Sequence, residues 1–458
     1  MEPANLRFGG GATETILHPL VAVWLLVAIV LIFTLPRNKV IVPLLFTFFS
    51  VSIAQVVLIG GIHFTVLRIL IIAGLIRRAT AKGTSSEAKY PGGFNGIDKA
   101  VVLWATSALI VICLQWMNSQ AMIKNLGDFL DGLGGYLVVR FFIPDLETVR
   151  RAIKVFALIC FVQAAFMVYE QIAHQNLFGY LGGWPPVNVT YRDTHIRSQG
   201  VLGNINEGVF GGVLVPLFLW LGTGGKSRFV AFLGLAGAIT MVITCDASTA
   251  ILALGGSILG ICFWPLRKRM RIVRWGFALM LIGLHMVMKA PVWALIARID
   301  LTGASSGQHR SYLIDNCVRH FSDWWLLGSR YYNEWGYFMF DLCNQFVAVA
   351  VTGGLASLVF FIMMYSRSFG AIGDARKQVN GDKKKEWLIW CVGTTLFAHV
   401  VASFGINYMA LLQMALFPIL VFASVVALDA QKATVKEVEP SEKLHLVPQG
   451  YIPIGEAR

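Results

Sequence analysis

The sequence predicts an all-α protein, a polytopic membrane bundle of about twelve or thirteen helices, on three observations. Of 458 residues 56% are apolar and only 14% are charged, and the mean hydropathy is +0.67. A water-soluble domain has no use for so much apolar material. Apolar runs recur along nearly the whole chain, close to the roughly 20 residues a helix needs to cross a hydrocarbon layer about 30 Å thick. Such lengths fit helices, which pair each backbone N–H and C=O within one segment, and not the alternating strands of about ten residues found in barrels.

The first run, residues 16–35, follows a leader with Glu2, Arg7 and Glu14 and lacks the basic segment and small-residue cleavage site of a signal peptide. It reads as a retained span. Further runs lie at 40–58, 62–76, 100–117, 121–143, 152–171, 205–222, 228–244, 248–265, 272–289, 344–364, 387–403 and 407–427. The run at 62–76 is short. That at 121–143 carries Asp128, Asp131 and several glycines, the pattern of a tilted or partly interfacial helix. Residues 1–428 are thus expected to form a single transmembrane domain. The tail at 429–458 is expected to be disordered, being too poor in apolar residues to fold alone.

Lys and Arg collect in short cytoplasmic loops. Arg77, Arg78, Lys82, Lys89 and Lys99 fill one connection, Arg267 to Arg274 a second, and Arg367 to Lys385 a third. All three fall on one face only if 121–143 crosses, which puts the N-terminus outside and the tail in the cytoplasm. The formal charge of +13 is on this reading an orientation signal. Nucleic acid is excluded as a partner, since no soluble domain carries aromatic-interleaved basic patches.

Two long connections then face outward, residues 172–204 and 290–343. Ionisable residues at the mouths of spans are functional candidates. In the larger loop, residues 311–326 read as an amphipathic interfacial helix. Leu313, Cys317, Phe321 and Trp325 lie on one face, and Asp315, Arg319 and Asp323 on another. The flanking aromatics, Trp324, Tyr331 and Tyr337 among them, suit either an interfacial belt or sugar stacking. Arg197 and Arg310 are the sharper signals. A guanidinium stays charged at any working pH and offers phosphate oxygens a planar fork of donors. The bland alternative for each is snorkelling, or pairing with Asp193 or Asp315.

These motifs occur in a telling order. Arg197, Gly200, Asn204 and Asn206 lead into a span, and a serine-containing junction (CDAST, residues 245–249) joins two spans. A large loop follows with Arg310, the segment WWLLGSRYY (324–332) and a Gly-Gly-Leu entry into the next span (353–355). In this the chain resembles the O-antigen ligase and Wzy-type polysaccharide polymerase superfamily of bacterial inner membranes, over about residues 100–427.

The resemblance implies transfer of a glycan from an undecaprenyl-diphosphate carrier to an acceptor on the external face, without metal or other cofactor. It implies that Arg197 and Arg310 hold the diphosphate leaving group. Members usually place a His and an Asn at the start of the span after the large loop, where this chain has Cys343 and Asn344. The acceptor-activating base is therefore open among Asp341, His309 and His320. Asn204, Asn344, His320, Trp324, Arg330 and Tyr331 are the candidate substrate-binding residues. The expected partners are the lipid-linked glycan, membrane lipids and other polysaccharide assembly proteins.

The nine histidines show no metal-binding spacing, so no metal site is expected. A secondary transporter, or a non-catalytic subunit of an envelope complex, is the alternative. A transporter should carry mid-membrane charges in two matching halves, whereas the charges here sit near span ends, as at Glu170 and Glu207. The altered His motif favours a polymerase over a ligase.

Overall fold

A computed structural model describes residues 15–81, 90–192, 194–298, 306–336, 338–408 and 410–443. Asp193, Tyr337 and the last fifteen residues, which bear on expectations above, lie outside the described residues. The chain opens with α1 (Pro19–Thr34) and α2 (Ile41–Ser50), a hairpin of β1 (Val56–Ile59) and β2 (Ile62–Thr65), then α3 (Val66–Thr80) and α4 (Gly96–Trp116). Next come α5 (Ser119–Phe129), α6 (Gly135–Phe142), the long α7 (Leu146–Ala173) and a second hairpin, β3 (Thr190–Arg192) with β4 (His195–Arg197). Then follow α8 (Asn204–Gly222), α9 (Arg228–Thr244), α10 (Ser248–Cys262), α11 (Met270–Val287), α12 (Ser306–Arg319) and α13 (Phe321–Trp324). The last three are α14 (Gln345–Gln378), α15 (Lys383–Ser403) and α16 (Ala410–Lys443).

Among the described residues eight helices are long and apolar enough to cross a membrane, and α1 and α10 are shorter apolar helices. The chain is an all-α, multi-pass membrane protein. Helices α7, α8, α9, α10, α14, α15 and α16 form the packed centre. Small residues let them approach: a Cβ on Gly237 of α9 would meet the Cys160 backbone of α7 at 2.6 Å, the kind of contact on which helix association in lipid depends. Helix α11 lies at the periphery with no buried residue.

The structure departs from the expected spans in four places. The run at 40–58 is not one helix. Gly60 and Gly61 take positive φ (+59° and +82°) and turn β1 into β2, as a two-residue hairpin requires. Within 121–143 a single π turn at 130–134 joins α5 to α6, and its Asp131 meets Arg68 through two bonds, Nε–Oδ1 at 3.1 Å and Nη2–Oδ2 at 2.6 Å. The amphipathic helix of the large loop breaks at His320 into α12 and α13. Leu313 and Cys317 are buried, while Phe321 and Trp325 are each 46% exposed. The segment after 428 is not disordered from its start, since α16 continues to Lys443. Lys385 reaches Asp429 there at 3.8 Å and Ala430 is buried.

Away from the loops, one buried ion pair ties α4 to α6. Arg140 Nε meets Asp98 Oδ1 at 3.2 Å, both side chains being nearly solvent-free, and the Tyr136 hydroxyl donates to the same carboxylate at 2.5 Å. Helix α14 is interrupted at Gly354, whose φ is +71°. The large loop packs on that break: the Leu355 N–H donates to the Trp325 carbonyl and the Ser329 N–H to the Val351 carbonyl, both at 2.8 Å. A Cβ at Gly354 would stand 2.7 Å from the Leu326 carbonyl oxygen, so the Gly-Gly-Leu sequence provides the close approach.

Candidate functional site

The β3–β4 hairpin sets the first arginines. Thr190 pairs with Arg197 and Arg192 with His195. Residues two apart share a face of a strand, so Arg192 and Arg197 project from one face of the hairpin. The segment after Arg197 would expose orphan backbone groups inside the bundle, and two buried carboxylates satisfy them. Glu170 accepts from the N–H of Gln199 and of Gly200, both at 2.9 Å, and Glu207 accepts from Val201 and Leu202 at 2.8 and 2.9 Å. Gln171 Nε2 donates to the Ile196 carbonyl at 3.0 Å, the Ser198 hydroxyl at 2.9 Å and the Thr244 carbonyl at 3.1 Å. Gly200, at φ +56°, lies so near Glu207 that a Cβ would stand 2.4 Å from its Oε1.

Arg310 is the fifth residue of α12 and is 5% exposed. Its Nη2 donates to the Thr249 hydroxyl at 2.8 Å, and Thr249 donates to the Gly405 carbonyl at 3.0 Å. The α9–α10 junction, with Asp246 at φ +44°, therefore receives the large loop. A cavity of about 360 Å³ opens between these parts. Arg192, Arg197, Arg310, Tyr191, Ser248 and Thr249 line it, with Ile205 and Ala247. Burial, and next the charge of Arg192, lower the pKa of Arg197, against a smaller opposing pull from Cys245 and Asp246. It remains cationic, as guanidinium does in proteins. Its buried Nε has no hydrogen-bond partner among the described residues.

Beside Arg310 lies a second group. The Nε2 of His309 is 3.0 Å from the Asp341 backbone carbonyl, and donor atoms of His309, Asp341 and Cys343 all lie within 4.8 Å of one another. Burial first, and the Asp341 charge next, push the Cys343 thiol up to about 11, while Arg310 acts against that through its charge and a hydrogen bond. The His309 imidazole thus lies beside Cys343 in space, although 34 positions of chain separate the two.

The structure brings together Arg197 and Arg310, and His309 with Asp341, but none of the other candidates whose side chains are described. Asn344 does not line the cavity. It is buried and caps α14, its Oδ1 accepting from Phe346 and Val347 at 3.0 and 3.2 Å. Trp324 is 4% exposed and donates to the Cys317 carbonyl at 2.7 Å, which makes it a core anchor of the loop and not a stacking platform. His320 stacks on Trp335 with centroids 4.8 Å apart and meets Asp323 at 3.0 Å. Arg330 lies over Trp116 at 5.4 Å, and Tyr331 is exposed; neither lines the cavity. Asn204 opens α8.

Sequence reading missed Arg192 and Thr249 as lining residues. The hairpin that pairs Thr190 with Arg197 was the signal for the first, and the CDAST junction for the second. Compared with known proteins, the chain matches no family model, and no characterised protein matches it.

Proposed function

We propose that this protein transfers a glycan from a polyprenyl-diphosphate carrier, undecaprenyl diphosphate in a bacterial inner membrane, onto a carrier-linked acceptor, and so polymerises a surface or secreted polysaccharide. The observation that carries the reading is the convergence of Arg192, Arg197 and Arg310 on one cavity. Three guanidinium groups and three hydroxyls, those of Tyr191, Ser248 and Thr249, with no carboxylate among the described lining residues, form a receptor for a multiply charged oxyanion. Such preorganised donors stabilise the charge that grows on the diphosphate as the glycosidic bond breaks.

The external side of the membrane is favoured by the helix directions. Arg150 and Arg151 lie at the start of α7, Arg228 at the start of α9, Arg267 to Arg274 after α10, and Arg376 to Lys385 run from the end of α14 to the start of α15. The cavity residues sit at the opposite ends of the same helices, and basic ends stay in the cytoplasm. On this orientation the loops 172–204 and 290–343 face outward. His309 is the acceptor-activating base: its ring is oriented by the Asp341 carbonyl and it neighbours Arg310 in sequence, so base and diphosphate receptor come from one turn of helix.

Donor binding tests the reading. Undecaprenyl diphosphate titrated against detergent-solubilised protein should bind saturably, and Arg197→Lys should weaken it, because an ammonium lacks the planar fork. Equal affinity of wild type, Arg197→Lys and Arg197→Ala would remove the cavity from the mechanism.

A further inference from the structure

We propose that His309, Asp341 and Cys343 form a binding site for a thiophilic divalent cation of the zinc class. The proposal concerns binding: the ion would take the one ring nitrogen of His309 not committed to the Asp341 carbonyl. A general base uses that same nitrogen, so ion binding and proton transfer at His309 exclude one another. The three donor atoms already lie within 4.8 Å of one another. Around one tetrahedral ion with bonds of about 2.0–2.3 Å, donors are separated by roughly 3.3–3.8 Å, so side-chain rotation of about an ångström closes the site.

The donor chemistry selects the metal. Calcium and magnesium take oxygen shells, whereas sulfur with imidazole nitrogen selects zinc and its neighbours. A thiolate and a carboxylate supply two negative charges to a dication, and the neutral imidazole adds none. Binding transfers the thiol proton to solvent and forms the metal–sulfur bond with the pair it leaves.

The site is also held in place. Between Asp341 and Asn344 the backbone is fixed by two hydrogen bonds, Cys343 N–H to the Asp341 carbonyl at 2.9 Å and Asn344 N–H to that of Leu342 at 2.7 Å. The His309 ring is set by its 3.0 Å contact with the Asp341 carbonyl. Asp341 is exposed and Cys343 and His309 are half-buried, which gives an ion a way in. Arg310 reaches the Cys343 sulfur, an outer contact compatible with a metal-bound thiolate. Three protein donors leave a coordination position open, the arrangement of reactive zinc sites. An ion there would also tie the first turn of α12 to the start of α14, across the large loop.

The test uses full-length protein in detergent, its affinity tag removed, titrated with Co²⁺ and then with Zn²⁺. One equivalent of Co²⁺ should produce a thiolate-to-cobalt charge-transfer band, and one equivalent of Zn²⁺ should abolish it. Cys343→Ser should lose the band and Cys262→Ser, at an exposed thiol, should keep it. Should Cys343→Ser elute as aggregate, Asp341→Asn at an exposed position serves instead. It should raise the Zn²⁺ Kd by more than the roughly tenfold that losing even an outer-shell partner costs. No charge-transfer band in wild type, a band that survives Cys343→Ser in folded protein, or an unchanged Kd in Asp341→Asn would overturn the proposal.

Discussion

Arg310 Nη2 donates to the Thr249 hydroxyl at 2.8 Å, and that hydroxyl donates to the Gly405 carbonyl at 3.0 Å. One side chain thus joins the large loop, the start of α10 and the end of α15, and it fixes the direction in which the Arg310 fork meets the cavity. Gly405 allows the approach, since a Cβ there would stand 2.9 Å from Thr249 Cγ2 and 3.4 Å from Arg310 Cζ.

Thr249→Val keeps the shape and removes both bonds. A buried donor or acceptor left unsatisfied costs about 1–3 kcal/mol. The variant should fold with a lowered Tm and bind undecaprenyl diphosphate more weakly than wild type. Unchanged Tm and unchanged donor affinity together would show that the Thr249 bridge positions nothing.

Glu170 holds the backbone that follows Arg197. Glu170→Ala strands the buried N–H groups of Gln199 and Gly200, at about 1–3 kcal/mol each, and should lower Tm and donor affinity together. Glu170→Gln keeps one carbonyl acceptor and should recover part of both. Thermal unfolding in detergent and donor titration on the same preparations check it.

The Asp98–Arg140 pair lies far from the cavity and serves as a stability control. Removing one partner of a buried pair costs about 3–5 kcal/mol, and the Tyr136 hydroxyl loses its acceptor as well. Asp98→Ala should therefore destabilise more than Thr249→Val, while the protein that remains folded binds donor with wild-type affinity.

Orientation is read by reporters. A fusion after Lys385 should report the cytoplasm and an insertion near Gly307 the exterior. The reverse pattern would overturn the assignment of the cavity to the outer face.

The helical membrane class was legible because apolar runs are a bulk property that any packing must respect. Arg197 and Arg310 were legible for the same reason: a guanidinium in apolar surroundings needs an anion or water. What a side chain touches was not legible. Trp324 looks like an interfacial aromatic because hydropathy is the same for a residue facing lipid and one facing the core, and only the Cys317 carbonyl, seven residues back, shows which it is. The Val56–Thr65 segment passed for part of two spans because its residues are apolar, although Gly60-Gly61 between two β-branched runs is a hairpin signal. Glu170 and Glu207 appeared as stray charges at span ends, since their partners are backbone N–H groups of a loop whose path no side-chain pattern records. The meeting of His309 with Cys343 was hidden by the length of chain between them and by the break at His320.

The most direct measurement is transfer in proteoliposomes. Purified protein is supplied with an undecaprenyl-diphosphate oligosaccharide pool, and chain length is read on a gel for wild type and Arg310→Ala. Wild type should make longer glycans. The variant should fall by about 10²–10³-fold in rate, the loss expected for one preorganised oxyanion donor, with its elution in detergent unchanged. Failure of wild type to elongate or transfer any glycan across a range of acceptors, or elongation by Arg310→Ala at the wild-type rate, would contradict the proposed reaction.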